Sequence, residues 1–131
     1  MEQRTKHYLL PIPPIAWKRV ALNGKRFFDA QAMDKMKIAQ YLAMQHGKEP
    51  LFDGPLEFTI TFYFPIPASR RKKLQEDEWM IERPDYDNCS KFIADTIKNV
   101  IITDDKRICR AIEEKRYSKN PRTEFTIREL E

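Results

Sequence analysis

The stretch Arg83-Pro84-Asp85-Tyr86-Asp87-Asn88-Cys89-Ser90-Lys91, followed by Asp95 and then by Thr103-Asp104-Asp105, sets carboxylates around two turns with a lysine between them. Pro84 biases its predecessor toward extended backbone, which puts Asp85 on the approach to a helix and Asp87 in its first turn. Free N–H groups and the helix dipole favour a carboxylate there, so a doubly capped helix start is the ordinary explanation. It covers one aspartate, since a second adds repulsion for little gain, and it leaves Lys91 unexplained. On an ideal helix Lys91 lies about 40° from Asp87, one turn along, and a surface pair at that spacing contributes only about 0.2–0.5 kcal/mol. Asp95, a further turn along, is a ready surface partner for Lys91. Asp104-Asp105 taken alone reads as a polar turn. Taken together, these acids suit a magnesium ion with positions left for water and phosphate oxygens, because a hard cation takes oxygen ligands. The matching chemistry is phosphodiester hydrolysis by a metal-activated water, with Lys91 orienting the nucleophile or offsetting developing negative charge. A DxD pair also occurs in phosphatases and glycosyltransferases. A phosphatase aspartate follows a buried parallel strand, whereas here a proline precedes and a helix follows.

The chain that must position these groups has 131 residues, 41% hydrophobic and 34% charged, which is one domain with enough apolar material for a core. Three scattered glycines exclude a Walker loop or a dinucleotide fingerprint, and no nucleotide cofactor is expected. Two cysteines and two histidines supply neither a disulfide framework nor a zinc site, which suits a reducing cytoplasm. No apolar run reaches the roughly 18 residues of a membrane span, and no signal core is present. Net charge is +4, with residues 1–50 carrying nine basic and four acidic side chains and residues 81–131 eleven of each. With acids neutralised by a metal, the remaining surface would suit a polyanion.

Hydrophobic periodicity supplies the elements. Tyr8-Leu9-Leu10 forms a strand cut short by Pro11, Pro13 and Pro14, and Arg26-Phe27-Phe28 a second after a turn at Gly24. Asp29 is the expected N-cap of a helix whose core stripe is Ala32, Met36, Ala39 and Ala43, with Met33 and Leu42 on its flanks, ending at Gly47 and Pro50. Strict alternation over 56–64 marks a strand with one buried face. Residues 69–83 read as an exposed, mobile excursion carrying Arg70-Arg71-Lys72-Lys73 and Glu76-Asp77-Glu78. A second helix buries Cys89, Phe92, Ile93, Thr96, Ile97 and Val100, and two strands flank a turn at Lys119-Asn120-Pro121. That order is α+β, a mixed sheet of about five strands with two helices packed on one face.

The combination Arg-Pro-Asp85-x-Asp87-Asn88-x-x-Lys91, then Asp95, then Asp104-Asp105 before Ile108, resembles the RusA family of Holliday-junction resolvases, as does the early Leu10-Pro11-x-Pro13-Pro14. The resemblance covers most of the chain. It implies a homodimer that binds four-way junction DNA and nicks two strands symmetrically with magnesium, manganese being the alternative ion. It makes Asp85, Asp87 and Asp105 the catalytic metal ligands, Lys91 the essential lysine, Asn88 a motif residue at the DNA, and Asp104 the other candidate ligand. Cys89 replaces an aliphatic residue, and the connection at Asn99-Val100-Ile101-Ile102 lacks the glycine common in the family.

Two other classes compete. One is a non-cleaving DNA-binding protein on the same scaffold, acting in recombination or phage gene regulation; the other is a phosphoesterase of small nucleotides. Arg70, Arg71, Lys72 and Lys73, with Lys18, Arg19, Lys25 and Arg26, are the candidate phosphate contacts, so binding should weaken steeply with salt. A substrate of approximate two-fold symmetry favours a symmetric dimer. The expected setting is the cytoplasm of a bacterium, or a prophage it carries.

Overall fold

The computed structural model describes residues 3–18, 21–23, 26–28 and 30–131, the segments 21–23 and 26–28 as backbone only. Gly24, Lys25, Asp29 and Arg19, and the side chain of Arg26, lie outside the described residues. The elements in chain order are β1 (Thr5–Leu10), β2 (Ala21–Asn23), β3 (Arg26–Phe28), α1 (Ala32–His46), β4 (Leu56–Pro65), α2 (Tyr86–Ile97), β5 (Ile108–Ser118) and β6 (Arg122–Glu129). The main sheet has four strands in the order β1-β6-β4-β5, with β4 and β5 parallel and the other pairs antiparallel. The expected five become four because β3 does not join this sheet; it pairs with β2 in a separate two-stranded ribbon. Three residues of apparent strand pattern cannot report which edge they will pair with.

Alternation in β4 holds as expected: Leu56, Phe58, Ile60, Phe62 and Phe64 are buried. Phe125 and Ile127 of β6, and Tyr8 and Leu10 of β1, join them under Ile38 and Leu42 of α1 and Phe92, Ile93 and Ile97 of α2 in one core. Tyr8 stacks on Phe125 at 5.0 Å, and its hydroxyl meets His46 Nδ1 at 3.0 Å, where burial raises the phenol to about 12.

The buried stripe of α1 differs from the expected one. Ile38, Leu42 and His46 face the sheet, while Met33, Met36 and Met44 are exposed. Both stripes recur at helical spacing, and periodicity cannot say which one packs; Ile38 and Leu42 join the core cluster and His46 meets the Tyr8 hydroxyl. Gln31 precedes the helix, without a side-chain cap. Val100 lies beyond α2 and is only partly buried.

The expected mobile excursion is pinned to the edge of the sheet. Asp77 N–H donates to Tyr117 O, Tyr117 N–H to Glu78 O and Met80 N–H to Lys115 O, so 77–80 run antiparallel along β5. Glu76 accepts from Ser118 Oγ and Lys119 N–H, both at 2.6 Å, and these contacts hold its carboxyl below the usual range. Ser118 is fully buried, so the anchor is not a surface accident. Hydrogen bonds between residues some forty positions apart leave no trace in local pattern.

Candidate active site on helix α2

Asp85 is the N-cap of α2, with extended backbone and no side-chain capping bond. The capping explanation therefore fails for this residue, whose carboxylate is exposed and makes none of the bonds an N-cap aspartate exists to make. Asp87 sits in the first turn, and its Oδ1 accepts the N–H of Asn88 at 2.9 Å. Asn88 also offers its carbonyl to Trp17 N–H at 2.9 Å, which ties the proline-rich segment after β1 across the start of the helix. Cys89 points into the core, and burial, with Asp87 and Asp85 adding to it, raises its thiol to about 11. It packs as a small neutral hydrophobe.

Lys91 pairs with neither Asp87 nor Asp95 among the described residues. Its Nζ lies 3.7 Å from the centroid of the Trp17 ring, a cation–π contact that holds an exposed ammonium on the acid-bearing side of the helix. Asp95 pairs instead with Lys35 of α1 at 3.8 Å. Sequence reasoning missed Trp17, and also Lys115. From β5, Lys115 Nζ donates to the carbonyls of Glu82 at 2.6 Å and Pro84 at 2.7 Å, fastening the entry to α2 onto the sheet. Nothing in the local pattern of β5 sets Lys115 apart.

The second acid pair follows a connection in which Asn99 takes φ 63°, the left-handed conformation that asparagine tolerates in place of glycine. Ile101 and Ile102 are then fully buried, and Phe52 N–H bonds Ile101 O at 2.8 Å. Asp104 caps a 3₁₀ turn over Asp105–Arg107, accepting Lys106 N–H at 3.2 Å, with Lys98 Nζ 3.7 Å away. Asp104 and Asp105 are hydrogen bonded to each other. That contact lowers Asp104 and raises Asp105, with burial and the Asp104 charge raising Asp105 further. Each carboxyl thus perturbs the titration of the other, as close like charges do.

Within one chain the two acid pairs do not converge. Asp85 and Asp87 mark the N-terminal end of α2, whereas Asp104 lies beside Lys98, at the other end of a twelve-residue helix about 18 Å long. Among the described residues no three or more of His, Cys, Asp and Glu are grouped closely enough to hold a metal. Within one chain the acids therefore fall into two pairs of carboxylates, Asp85 with Asp87 and Asp104 with Asp105. Each fits a magnesium ion as the hard cation is ordinarily bound, through one or two carboxylates with the rest supplied by water and phosphate.

The basic run divides. Arg70 ends a 3₁₀ turn over Ala68–Arg70 and is engaged by Glu82, so it belongs to the anchoring of the excursion. Arg71 lines an open groove of about 630 Å³ with Ile66, Ser118 and Lys119. Lys72 and Lys73 are exposed and without ion pairs among the described residues. These residues follow β4, and the register Pro65↔Ser118 puts them at the same end of the sheet as Lys115 and the Asp85 turn. Lys18 is exposed. No helix is long and apolar enough to cross a membrane among the described residues.

Residues 11–128 match the family model described as endodeoxyribonuclease RusA. The chain is also 31% identical over 118 residues to the uncharacterized protein YqaN of Bacillus subtilis (strain 168), with 82% of each chain covered. The matched span contains α1, α2, the parallel pair β4 and β5, and both acid pairs, and this chain belongs to the RusA endodeoxyribonuclease family.

Proposed function

We propose that the protein is a magnesium-dependent, structure-specific endonuclease that resolves Holliday junctions by paired symmetrical nicks, acting as a homodimer. The observation that carries the proposal is the uncapped Asp85 beside Asp87, with Lys91 laid on Trp17 one turn away. Asp85 and Asp87, with Asp105 and its neighbour Asp104, would hold the ion. A bound magnesium supplies a water of lowered pKa and offsets charge on the phosphate under attack. Lys91 adds a fixed positive charge for the phosphate oxygens, and Trp17 limits the freedom of its ammonium. Asn88, in the first turn, stands where it can meet the same strand.

The dimer reading draws on the outward face of α2. Asp87 and Lys91 share it, with Asp95 at its margin and the exposed Lys98 just past its end. Read in the opposite direction, the series Asp-Lys-Asp-Lys becomes Lys-Asp-Lys-Asp, so two such helices running antiparallel about a two-fold axis are charge-complementary. That arrangement would set Asp85 and Asp87 of one chain near Asp104 and Asp105 of its partner. An equimolar mixture of Asp87→Asn and Asp105→Asn chains tests it. If acids act across chains, mixed dimers keep one intact site and recover single-strand nicking of a four-way junction, while each variant alone does not cut. If they act within one chain, the mixture stays inactive.

A non-cleaving DNA-binding protein is the second reading, and the absence of a three-acid group within the described chain is what favours it. End-labelled junctions incubated with wild-type protein and magnesium decide between the two. Symmetrical nicks support the nuclease, and tight binding with every arm intact overturns it.

A further inference from the structure

We infer that the solvent face of the sheet carries, at the end near Asp85, a stacking platform for unpaired nucleobases of single-stranded DNA, built from Trp79, Arg116, Tyr63 and Arg122. The inference takes its class of nucleic acid from the endonuclease reading, but the platform stands on its own geometry. Trp79 bridges to Arg116 on β5, Arg116 is in register with Tyr63 on β4, and Tyr63 with Arg122 on β6. One row thus runs from the 77–80 edge segment across β5, β4 and β6 as aromatic, cation, aromatic, cation. The Arg116 guanidinium lies 3.8 Å from the Trp79 ring centroid, and that of Arg122 lies 3.7 Å from that of Tyr63. At about 4.8 Å between strands the row spans about 14 Å, room for two or three bases of the kind aromatic residues on a sheet surface accept.

Core packing does not account for the placement of Trp79. Trp79 is 58% exposed and Ile81, two residues on along the same edge, 89% exposed, while Met80 between them is buried. The segment is held by backbone bonds to β5, and Arg116 Nη1 donates to Asp77 O at 2.8 Å, so the indole is presented without ordering cost. Exposed apolar groups on a fixed frame mark a binding surface. Flat rings answer the π-faces of bases and guanidinium groups answer phosphate, a combination suited to single strands. Arg116 and Arg122 each engage one glutamate at a partly exposed contact, Glu114 at 3.2 Å and Glu124 at 3.6 Å. Arg122 Nη1 is further held by Ser118 Oγ at 3.1 Å and Asn120 O at 2.9 Å, which fixes its guanidinium on the sheet face where a phosphate can compete for the glutamate. Lys115, next to Arg116 on the other side of β5, holds the Pro84 carbonyl. An unpaired strand passing the sheet edge would therefore lead from the platform to the acids of α2.

Fluorescence anisotropy with labelled dT20 and with a duplex of equal length, in EDTA so that nothing is cut, tests the inference. Trp79→Ala, a surface change that should not disturb folding, is expected to weaken dT20 binding about tenfold. Duplex affinity should change less than twofold, Trp79→Phe should restore most of the loss, and Tyr63→Ala should act in the same direction. The inference is overturned if wild-type protein ignores dT20, if Trp79→Ala binds it as wild type does, or if both DNAs weaken equally. It is also overturned if sedimentation shows Trp79→Ala turning a dimer into a monomer, which would assign the face to a second copy. Junction nicking by wild-type protein is scored separately: nicking without a Trp79 effect removes the platform alone, and Trp79-dependent dT20 binding without nicking removes the nuclease alone.

Discussion

Replacing Lys115 by methionine keeps the aliphatic stem of the side chain and removes its ammonium. In the structure that ammonium closes two contacts, to Glu82 O at 2.6 Å and Pro84 O at 2.7 Å. A hydrogen bond involving a charged group contributes about 1.5–3 kcal/mol where it is shielded from water. One of these contacts is exposed and the other only partly buried, and water can replace the lost donor at both carbonyls. The expected cost is therefore about 2 kcal/mol for the pair rather than the full sum. With an unfolding entropy of about 2.1 cal/mol/K per residue over this chain, the midpoint should fall by about 7 °C in a thermal melt followed by circular dichroism. The same change frees the turn that aims Asp85, so junction nicking measured well below the melt should fall by at least tenfold while junction binding stays within about threefold. A midpoint within about 1 °C of wild type, or nicking that falls only in proportion to the unfolded fraction, would refute the claim that β5 positions the start of α2.

Two further predictions follow from the electrostatics. Asp105 is raised by its bond to Asp104, by burial and by the Asp104 charge, so the folded state loses stability as pH rises through the titration of Asp105. In EDTA, Asp105→Asn should therefore be more stable than wild type at neutral pH and no more stable under acid conditions, where Asp105 is protonated in both states; a difference in melting midpoint that does not grow with pH contradicts this. Lys72→Ala and Lys73→Ala should each reduce the slope of log affinity for DNA against log salt by about 1, whereas Arg70→Ala, whose guanidinium is held by Glu82, should lower the melting midpoint and leave the slope largely unchanged. Equal slopes for all three variants would show that Lys72 and Lys73 do not meet phosphate.

Much of the fold was legible because it rests on local rules. Five alternating residues of β4 must share a face, and prolines after Leu10 must end β1. The apolar stripe of α2 is continuous from Cys89 to Ile97, and that helix formed as expected. In α1 two stripes compete, and the packed one is Ile38, Leu42 and His46 because only it meets Tyr8 and the sheet. The excursion at 69–83 looks mobile in one dimension because its restraints, Glu76 to Ser118 and Lys115 to Pro84, join residues more than thirty positions apart.

Residue types and short spacings by themselves determined the chemistry on offer: oxygen ligands near a helix start, a lysine one turn on, a second acid pair after a buried connection. Those follow from valence, helical repeat and turn preference, which act over a few residues. Only the tertiary structure decided that Asp85 makes no capping bond, that Lys91 rests on Trp17, and that the two acid pairs occupy opposite ends of α2. It also decided that Trp79, Arg116, Tyr63 and Arg122 form one row. The physical reason is that a sheet brings distant strands to within about 5 Å, while a rigid helix holds its two ends apart. Neither separation can be read from distance along the chain.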